Sequence, residues 1–484
     1  MLNETDPDQQ LVALLRGLED LDHLYSPADL AAPQIKQLRA SPYIRAIQEA
    51  CTRYSLFQKI NIRRSQFAAC YAFSVPKKDD TARLILDPLL NLLEPAIDIS
   101  CPLPLPEDIL QAAGKAKVGC MLDMKSWFTQ FKLGAQVAPY FTISAAGATW
   151  AYTRVPMGWR LAPALAQRTL LFVLRQAKIT SGHVWIDNVI LFGQSVSELQ
   201  QELDRLTQLF HKYAMSFRLE IDIGPLMVDC LGMDLDLTQK VFKFSANFQS
   251  KYLASTSESA LAGPMQLLDV QRLSGLAVWT AYLSRTPLFV IRPLLQHLGY
   301  VSKHRNHRSP LPTQAQDVLR ALLPVVTEPH RLCLPDPVPL GIDLYTDSSD
   351  HMGGAVMYSN ASPKMWQWSW EDPCMHINVK ELAALRHALH QVPSHTHSLP
   401  GLISWHTDSM VCLGVMQRMY ARSPPLLKVL TQIYSLFQQK NLVCKSAYVP
   451  TDDNPADFPT RHLLNEDPPE IVPALYGMMS ELRV

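Results

Sequence analysis

His183-Val184-Trp185-Ile186-Asp187-Asn188-Val189-Ile190-Leu191-Phe192 is a pair of β-prone runs either side of an acidic pair. Apolar and β-branched residues favour strands, and Asp and Asn tolerate the dihedrals of a tight turn, so the stretch predicts a hairpin with Asp187-Asn188 at its tip. Upstream, Val118-Gly119-Cys120-Met121-Leu122-Asp123 reads as a buried strand ending in another acid. Magnesium prefers carboxylate oxygens and keeps some of its water, so a few acids at the mouth of a rigid sheet can hold it. Nucleotidyl transfer uses two such ions about 3.5–4 Å apart, one activating a 3′-hydroxyl and one neutralising the departing pyrophosphate. Each acid also has an ordinary reading, Asp187 as a turn residue and Asp123 as a strand end.

Outward from this core, residues 1–55 read as helical and polar, with Ser26-Pro27-Ala28-Asp29 as a helix start. Two β-rich runs from Phe67 to Leu86 flank Lys77-Lys78-Asp79-Asp80-Thr81 as a hairpin. Strands are expected at 139–144, 151–155 and within 227–246, and helices around 161–177 and 195–214. Residues 264–325 read as helical, since Leu268, Val270, Leu273, Leu276, Ala277 and Trp279 recur at roughly helical spacing. Leu334-Pro335-Asp336-Pro337-Val338-Pro339 is the clearest linker. Beyond it the pattern runs strand, strand, strand, helix, strand, helix, helix, strand. Val379, Leu382, Leu385, Leu389 and Val392 form one apolar helix face, and Leu426, Leu430, Ile433 and Phe437 another.

Four acids in this last region fall where strands meet turns or helices: Asp347, Glu381, Asp408 and Asp457. Asn378-x-x-Glu381 is also a capping-box pattern, a structural use compatible with a metal-facing one. Asp452 and Asp453 compete with Asp457 for the fourth place. Clustered carboxylates repel and should have raised pKa values, which bound cations would reverse.

These blocks resemble those of a reverse transcriptase followed by a ribonuclease H. Asp123-Met124-Lys125-Ser126-Trp127-Phe128 is similar to the block in which an aromatic follows the acid by five positions. Tyr152-Thr153-Arg154-Val155-Pro156-Met157-Gly158-Trp159, with Gln167 at its end, resembles the next block, and Trp185-Ile186-Asp187-Asn188 the third. Cys230-Leu231-Gly232 is similar to the primer grip, and Val75-Pro76-Lys77-Lys78-Asp79 through Asp87 to the fingers hairpin. The resemblance implies a multidomain α+β and α/β chain: a helical extension (1–55), fingers and palm (56–262), helical thumb or connection (263–333), a ribonuclease H-like domain (340–465) and a tail (466–484). It implies that Asp123 and Asp187 hold one pair of ions, and Asp347, Glu381, Asp408 and Asp457 another. The ions would be magnesium, with manganese as an alternative. Lys77, Lys78, Arg83, Phe128, Met157, Gly158 and Gln167 would contact the nucleotide, Phe128 blocking a 2′-hydroxyl, and Leu231 and Gly232 the primer. Expected partners are an RNA template, a DNA primer, RNA–DNA hybrid and deoxynucleoside triphosphates, with integration left to a separate recombinase or integrase.

Departures from the pattern are Trp185 for Tyr, Asn188 for a second Asp, and Met157 where retroviruses carry Gln. The lysine that often serves as general acid has no clear counterpart, Arg218 being the nearest candidate. The Pro-Met-Gly-Trp block and the Asn-Pro-Ala-Asp-x-Pro-x-Arg ending are most similar to tyrosine-recombinase retrotransposons (DIRS-like, including the VIPER type). A ribonuclease H with a weakened polymerase, and a non-enzymatic nucleic-acid-binding relic, are the alternatives.

Composition bounds these readings. At 484 residues the chain has room for about three domains, and 48% hydrophobic with 18% charged residues describes a globular protein. Lys+Arg and Asp+Glu both total 44, a balance that argues mildly against a nucleic-acid partner unless positive charge is local. Nine scattered cysteines with no C-x-x-C pair point to reduced thiols in a cytoplasmic or nuclear protein. The apolar run Leu276–Ile291 is interrupted by Arg285 and Pro287, so no membrane span is expected.

Overall fold

The computed structural model describes residues 7–31, 56–60, 70–76, 82–145, 148–304, 308–333, 337–359, 362–372 and 374–462. They fall into two compact units, Met1–Phe248 with Pro329–Cys333, and Gln249–Glu328 with Leu334–Val484.

The first unit is organised around Val118–Met124, a strand buried along almost its whole length. It pairs antiparallel with Asn188–Gly193 on one side and Phe217–Gly224 on the other, and Gly182–Trp185 completes a four-stranded sheet. Helix Val196–Lys212 follows, its Ser195 side chain accepting from the Glu198 amide at 3.2 Å. Leu199, Leu203, Leu206 and Phe210 recur along one stripe of this helix and are buried, each contributing about 1.5–3 kcal/mol. A second sheet, Leu226–Cys230, Met233–Asp236, Val241–Phe244 and His330–Arg331, follows in the chain. The strands Cys70–Pro76 and Ala82–Pro88 pair antiparallel as expected. The intervening Lys77 and Lys78 lie outside the described residues, as does the side chain of Arg83.

The described part of the amino-terminal stretch, residues 7–31, contributes to this core. Leu11, Leu14, Leu18, Leu21, Leu24 and Tyr25 are buried with the central strand, and the Tyr25 hydroxyl accepts from the Trp159 indole at 3.1 Å. The expected helix start is present, Ser26 Oγ accepting from the Asp29 amide at 3.2 Å. Three expectations shift. The strand sought at 139–144 is Thr142–Ala145, preceded by a 3-10 turn Ala138–Phe141, and that at 151–155 is Ala148–Tyr152. Phe217–Gly224 was not anticipated, although Phe-Arg-Leu-Glu-Ile-Asp-Ile alternates with period two.

In the second unit, helix Leu267–Leu283 buries Val270, Leu273 and Ala277, whereas Leu268 is 53% exposed. Two residues before Val270 is the wrong spacing for the same helical face. Farther on, a five-stranded sheet has the order Lys364–Ser369, Met352–Tyr358, Val338–Ser348, Gly401–Thr407, Leu442–Tyr448. The first three strands are antiparallel neighbours; Gly401–Thr407 runs parallel to both Val338–Ser348 and Leu442–Tyr448. Helix Ile377–Gln391 and the pair Met410–Arg418 and Pro424–Lys440 make the crossovers and bury the two predicted apolar faces. The order of strands and helices is the one read from the sequence beyond the Pro-rich linker.

Two candidate metal centres

The first centre is assembled by strand pairing. Asp123 lies directly opposite Asn188 on one neighbour and Arg218 on the other, and the Met124 amide donates to the Asp187 carbonyl at 2.8 Å. The two predicted acids therefore meet at one end of one sheet.

The turn that carries Asp187 is displaced by one residue from the expectation. Trp185 pairs with Asn188, so Ile186 and Asp187 form the loop and Asn188 begins the strand. Ile186 has φ 59°, a left-handed conformation that a β-branched residue rarely adopts. Its amide donates to Gln167 Oε1 at 2.8 Å, and Gln167 Nε2 donates to the Val184 carbonyl at 2.9 Å. Gln167, expected at the nucleotide, is fully buried and braces the acid-bearing hairpin instead. This long-range clamp outweighs the preference of Asp and Asn for the tip.

Arg218 Nε lies 3.0 Å from Asp123 Oδ2 and 2.8 Å from Glu220 Oε2. A guanidinium stays protonated at any working pH, so Arg218 is a charge partner of Asp123, which corrects its candidacy as general acid. Phe128 is on the short helix Trp127–Gln130, buried in the core, and Met157 is half-buried against that core. Gly158 has a packing reason for lacking a side chain: a β-carbon there would be 2.0 Å from the Leu86 carbonyl oxygen. Asn91 latches the same block, donating to the Gly158 carbonyl at 2.7 Å and accepting from the Arg160 amide at 2.8 Å. Leu231 and Gly232, with φ of 52° and 83°, form the two-residue turn between Cys230 and Met233.

The second centre joins three elements. Asp347 is near the end of the central strand, Asp408 follows Gly401–Thr407, and Glu381 is in the second turn of its helix. One carboxylate oxygen from each lies within 4.8 Å of the others. Asp347 and Glu381 are buried. Burial, then the charges of Asp347 and Asp408, push the Glu381 carboxyl up to about 9. Burial also raises Asp347, partly offset by a 2.7 Å hydrogen bond from Thr460 Oγ1. Thr451 Oγ1 donates to Asp408 at 2.8 Å. Asp457 stands beside this group, not within it: it raises Asp347 electrostatically and pairs with Arg461 at 2.8 Å.

The capping-box reading of Glu381 is corrected. His376 is the N-cap, its Nδ1 accepting from the Asn378 amide at 3.2 Å, so Asn378 lies inside the helix. Glu381 is thereby released from capping, and its Oε2 is buried without a hydrogen-bond partner. An orphaned carboxylate oxygen facing two further carboxylates fits a hard divalent cation. The residues that brace the acids, Thr451, Thr460 and Asn454, were not singled out from the sequence; Asn454 donates to the Thr346 carbonyl at 3.2 Å. Gly354 faces Asp347 across the strand pair. A β-carbon on it would lie 2.9 Å from the Ala456 carbonyl and 3.0 Å from Thr460 Cγ2, so its bareness admits the short helix Asp457–Arg461.

Residues 75–220 match the family described as reverse transcriptase (RNA-dependent DNA polymerase). The chain thus contains a reverse transcriptase domain of the retroviral and retrotransposon Pol-like kind. It is 28% identical over 300 residues to the retrovirus-related Pol polyprotein from transposon gypsy of Drosophila melanogaster, covering 60% of this chain and 28% of that polyprotein. The Pol polyprotein from transposon 412 of the same organism is 30% identical over 111 residues, 23% of this chain and 9% of that one. The chain therefore spans under a third of these relatives. In fold it is similar to the foamy viral protease–reverse transcriptase dRH in complex with double-stranded DNA, with TM-score 0.50, 15% identity, and coverage of 93% of this chain and 80% of that one.

Proposed function

We propose that the chain is an RNA-directed DNA polymerase that also cleaves the RNA strand of an RNA–DNA hybrid. The observation that carries the double activity is the three-carboxylate cluster with its orphaned Glu381 oxygen, in a chain whose residues 75–220 match a reverse transcriptase. Magnesium, or manganese, bound at each centre would polarise the phosphate and activate the attacking oxygen. Asp123 and Asp187 would hold the ions for deoxynucleotide addition, and Arg218 would keep Asp123 oriented between fillings. Asp347, Glu381 and Asp408 would hold those for hydrolysis, with Asp457 at the margin. RNA template, DNA primer and hybrid are the proposed partners, and the 2′-hydroxyl distinguishes the strand to be cut. The terminal Asn454-Pro455-Ala456-Asp457 block supports a DIRS-like lineage, and the unpaired described cysteines support a reducing cytoplasmic or nuclear setting. The test is primer extension on an RNA template with magnesium, run beside cleavage of a labelled hybrid; absence of either activity in folded protein removes that half.

Two predictions follow from the packing. Phe128 is buried, so truncation to Ala would cost about 3–5 kcal/mol and confuse the readout. Phe128→Val is the better variant, expected to reduce discrimination against ribonucleotides on the order of tenfold or more, measured as the ratio of kcat/KM for the two sugars. Unchanged discrimination dismisses the gate role. Gly354→Val should push the Asp457 helix away from Asp347 and lower hybrid cleavage by about 100-fold, while primer extension persists. Undiminished cleavage would show that Asp457 and Thr460 need not be held there.

A further inference from the structure

Lys380 precedes Glu381 in the chain and is 1% exposed, among the largest fully buried side chains of the protein. A lysine near a helix start would ordinarily be solvated, and burying an ammonium group is costly unless it is held. Here its Nζ donates to the Asp350 carbonyl at 2.7 Å. Asp350 lies in the short connection between Val338–Ser348 and Met352–Tyr358, three residues beyond Asp347. That connection is braced from other directions too. Ser349 Oγ donates to the Thr460 carbonyl at 3.3 Å, Thr460 in turn donates to Asp347 at 2.7 Å, and the Trp370 amide donates to the His351 carbonyl at 3.0 Å.

We infer that Lys380 is a positioning residue for the second centre: its hydrogen bond ties the helix that carries Glu381 to the turn that follows Asp347, and so sets the spacing of those two carboxylates. The inference deepens the cation-holding reading of this site and rests on it. The physical basis is that cation affinity depends on ligands already being held at the right separation. Groups that orient ligands without touching the ion typically change metal affinity or activity by about 10–100-fold when removed. Lys380 acts through the backbone of the turn, so its loss should weaken cation binding more than turnover once the site is filled.

The experiment titrates Mn2+ by electron paramagnetic resonance into the full chain carrying Asp123→Asn and Asp187→Asn, which removes the first centre's ligands. Lys380→Met in this background is expected to weaken Mn2+ binding by about 10–100-fold. In the otherwise native chain the same change should raise the Mg2+ concentration for half-maximal hybrid cleavage by a similar factor. Cleavage at saturating Mg2+ should stay within about threefold. Equal Mn2+ affinity, or a loss of turnover that Mg2+ does not restore, overturns the inference. If Lys380→Met does not fold, judged by melting and primer extension, Lys380→Arg decides. It keeps a cation in the pocket but misplaces the donor, and Mn2+ affinity equal to the parent's then overturns the inference. A parent chain that binds Mn2+ at the cluster yet leaves RNA–DNA hybrid intact sinks the hybrid-cleavage reading and leaves the positioning role standing.

Discussion

Asp187→Ala should abolish deoxynucleotide addition on a primed RNA template, by on the order of 10³-fold or more in kcat, and leave hybrid cleavage within about twofold. Asp187 projects from a two-residue loop whose backbone is held by Gln167, the Ile186 amide donating to it at 2.8 Å, and by the 2.8 Å bond from the Met124 amide to its own carbonyl. Both anchors are indifferent to the side chain at 187. The substitution therefore removes the proposed cation ligand without releasing the hairpin, and melting should shift little. The second acid cluster belongs to the other compact unit, so its chemistry should be unaffected. Loss of both activities in a chain that still melts normally would mean that the two centres are not independent. Retained synthesis would take Asp187 out of the polymerase altogether.

Asp347→Asn should do the reverse, with cleavage falling by about 10³-fold and primer extension persisting. It should also stabilise the cation-free protein, because it takes a carboxylate charge out of a buried cluster of acids. The same electrostatics give a pH signature. Glu381 is pushed up to about 9 from an ordinary value of 4.5. Between those values the folded chain keeps a proton that the unfolded chain has released. Stability must therefore fall as pH rises across that window and level off above about 9. Asp347 shifts in the same direction and steepens the low-pH end. Divalent cations favour the ionised carboxylates, so melting followed against pH should slope downward in chelator and flatten in magnesium. Glu381→Gln should remove most of the slope. A slope that survives this substitution would assign the pH dependence to some other group.

Much of the second domain could be read from local pattern. The order of its strands and helices, and the buried faces of its two long helices, follow from period-two and period-3.6 alternation, which neighbouring residues settle among themselves. Asp123 and Asp187 were recognisable because each ends a short apolar run. Other features depended on distant partners. The hairpin tip moved to Ile186 because Gln167, 19 residues earlier, satisfies that amide. Glu381 lost its capping role because His376, not Asn378, caps the start of the helix. Lys380 reads as an ordinary surface charge until the turn that it anchors is folded against it. The strand Phe217–Gly224 was legible in its alternation, but its largely exposed face weakened the hydrophobic signal.

By itself, the sequence determined which residues carry carboxylates, which segments must be strands or helices, and in what order they follow. Hydrophobic periodicity and turn chemistry act over a few residues and are written locally. Only the tertiary structure decided which acids share a cluster, which polar groups are left to face them, and which side chains brace the backbone that holds them. Thr460 reaches Asp347 across 113 positions of chain. Separations of that length are closed by packing of whole elements, and no local pattern records them.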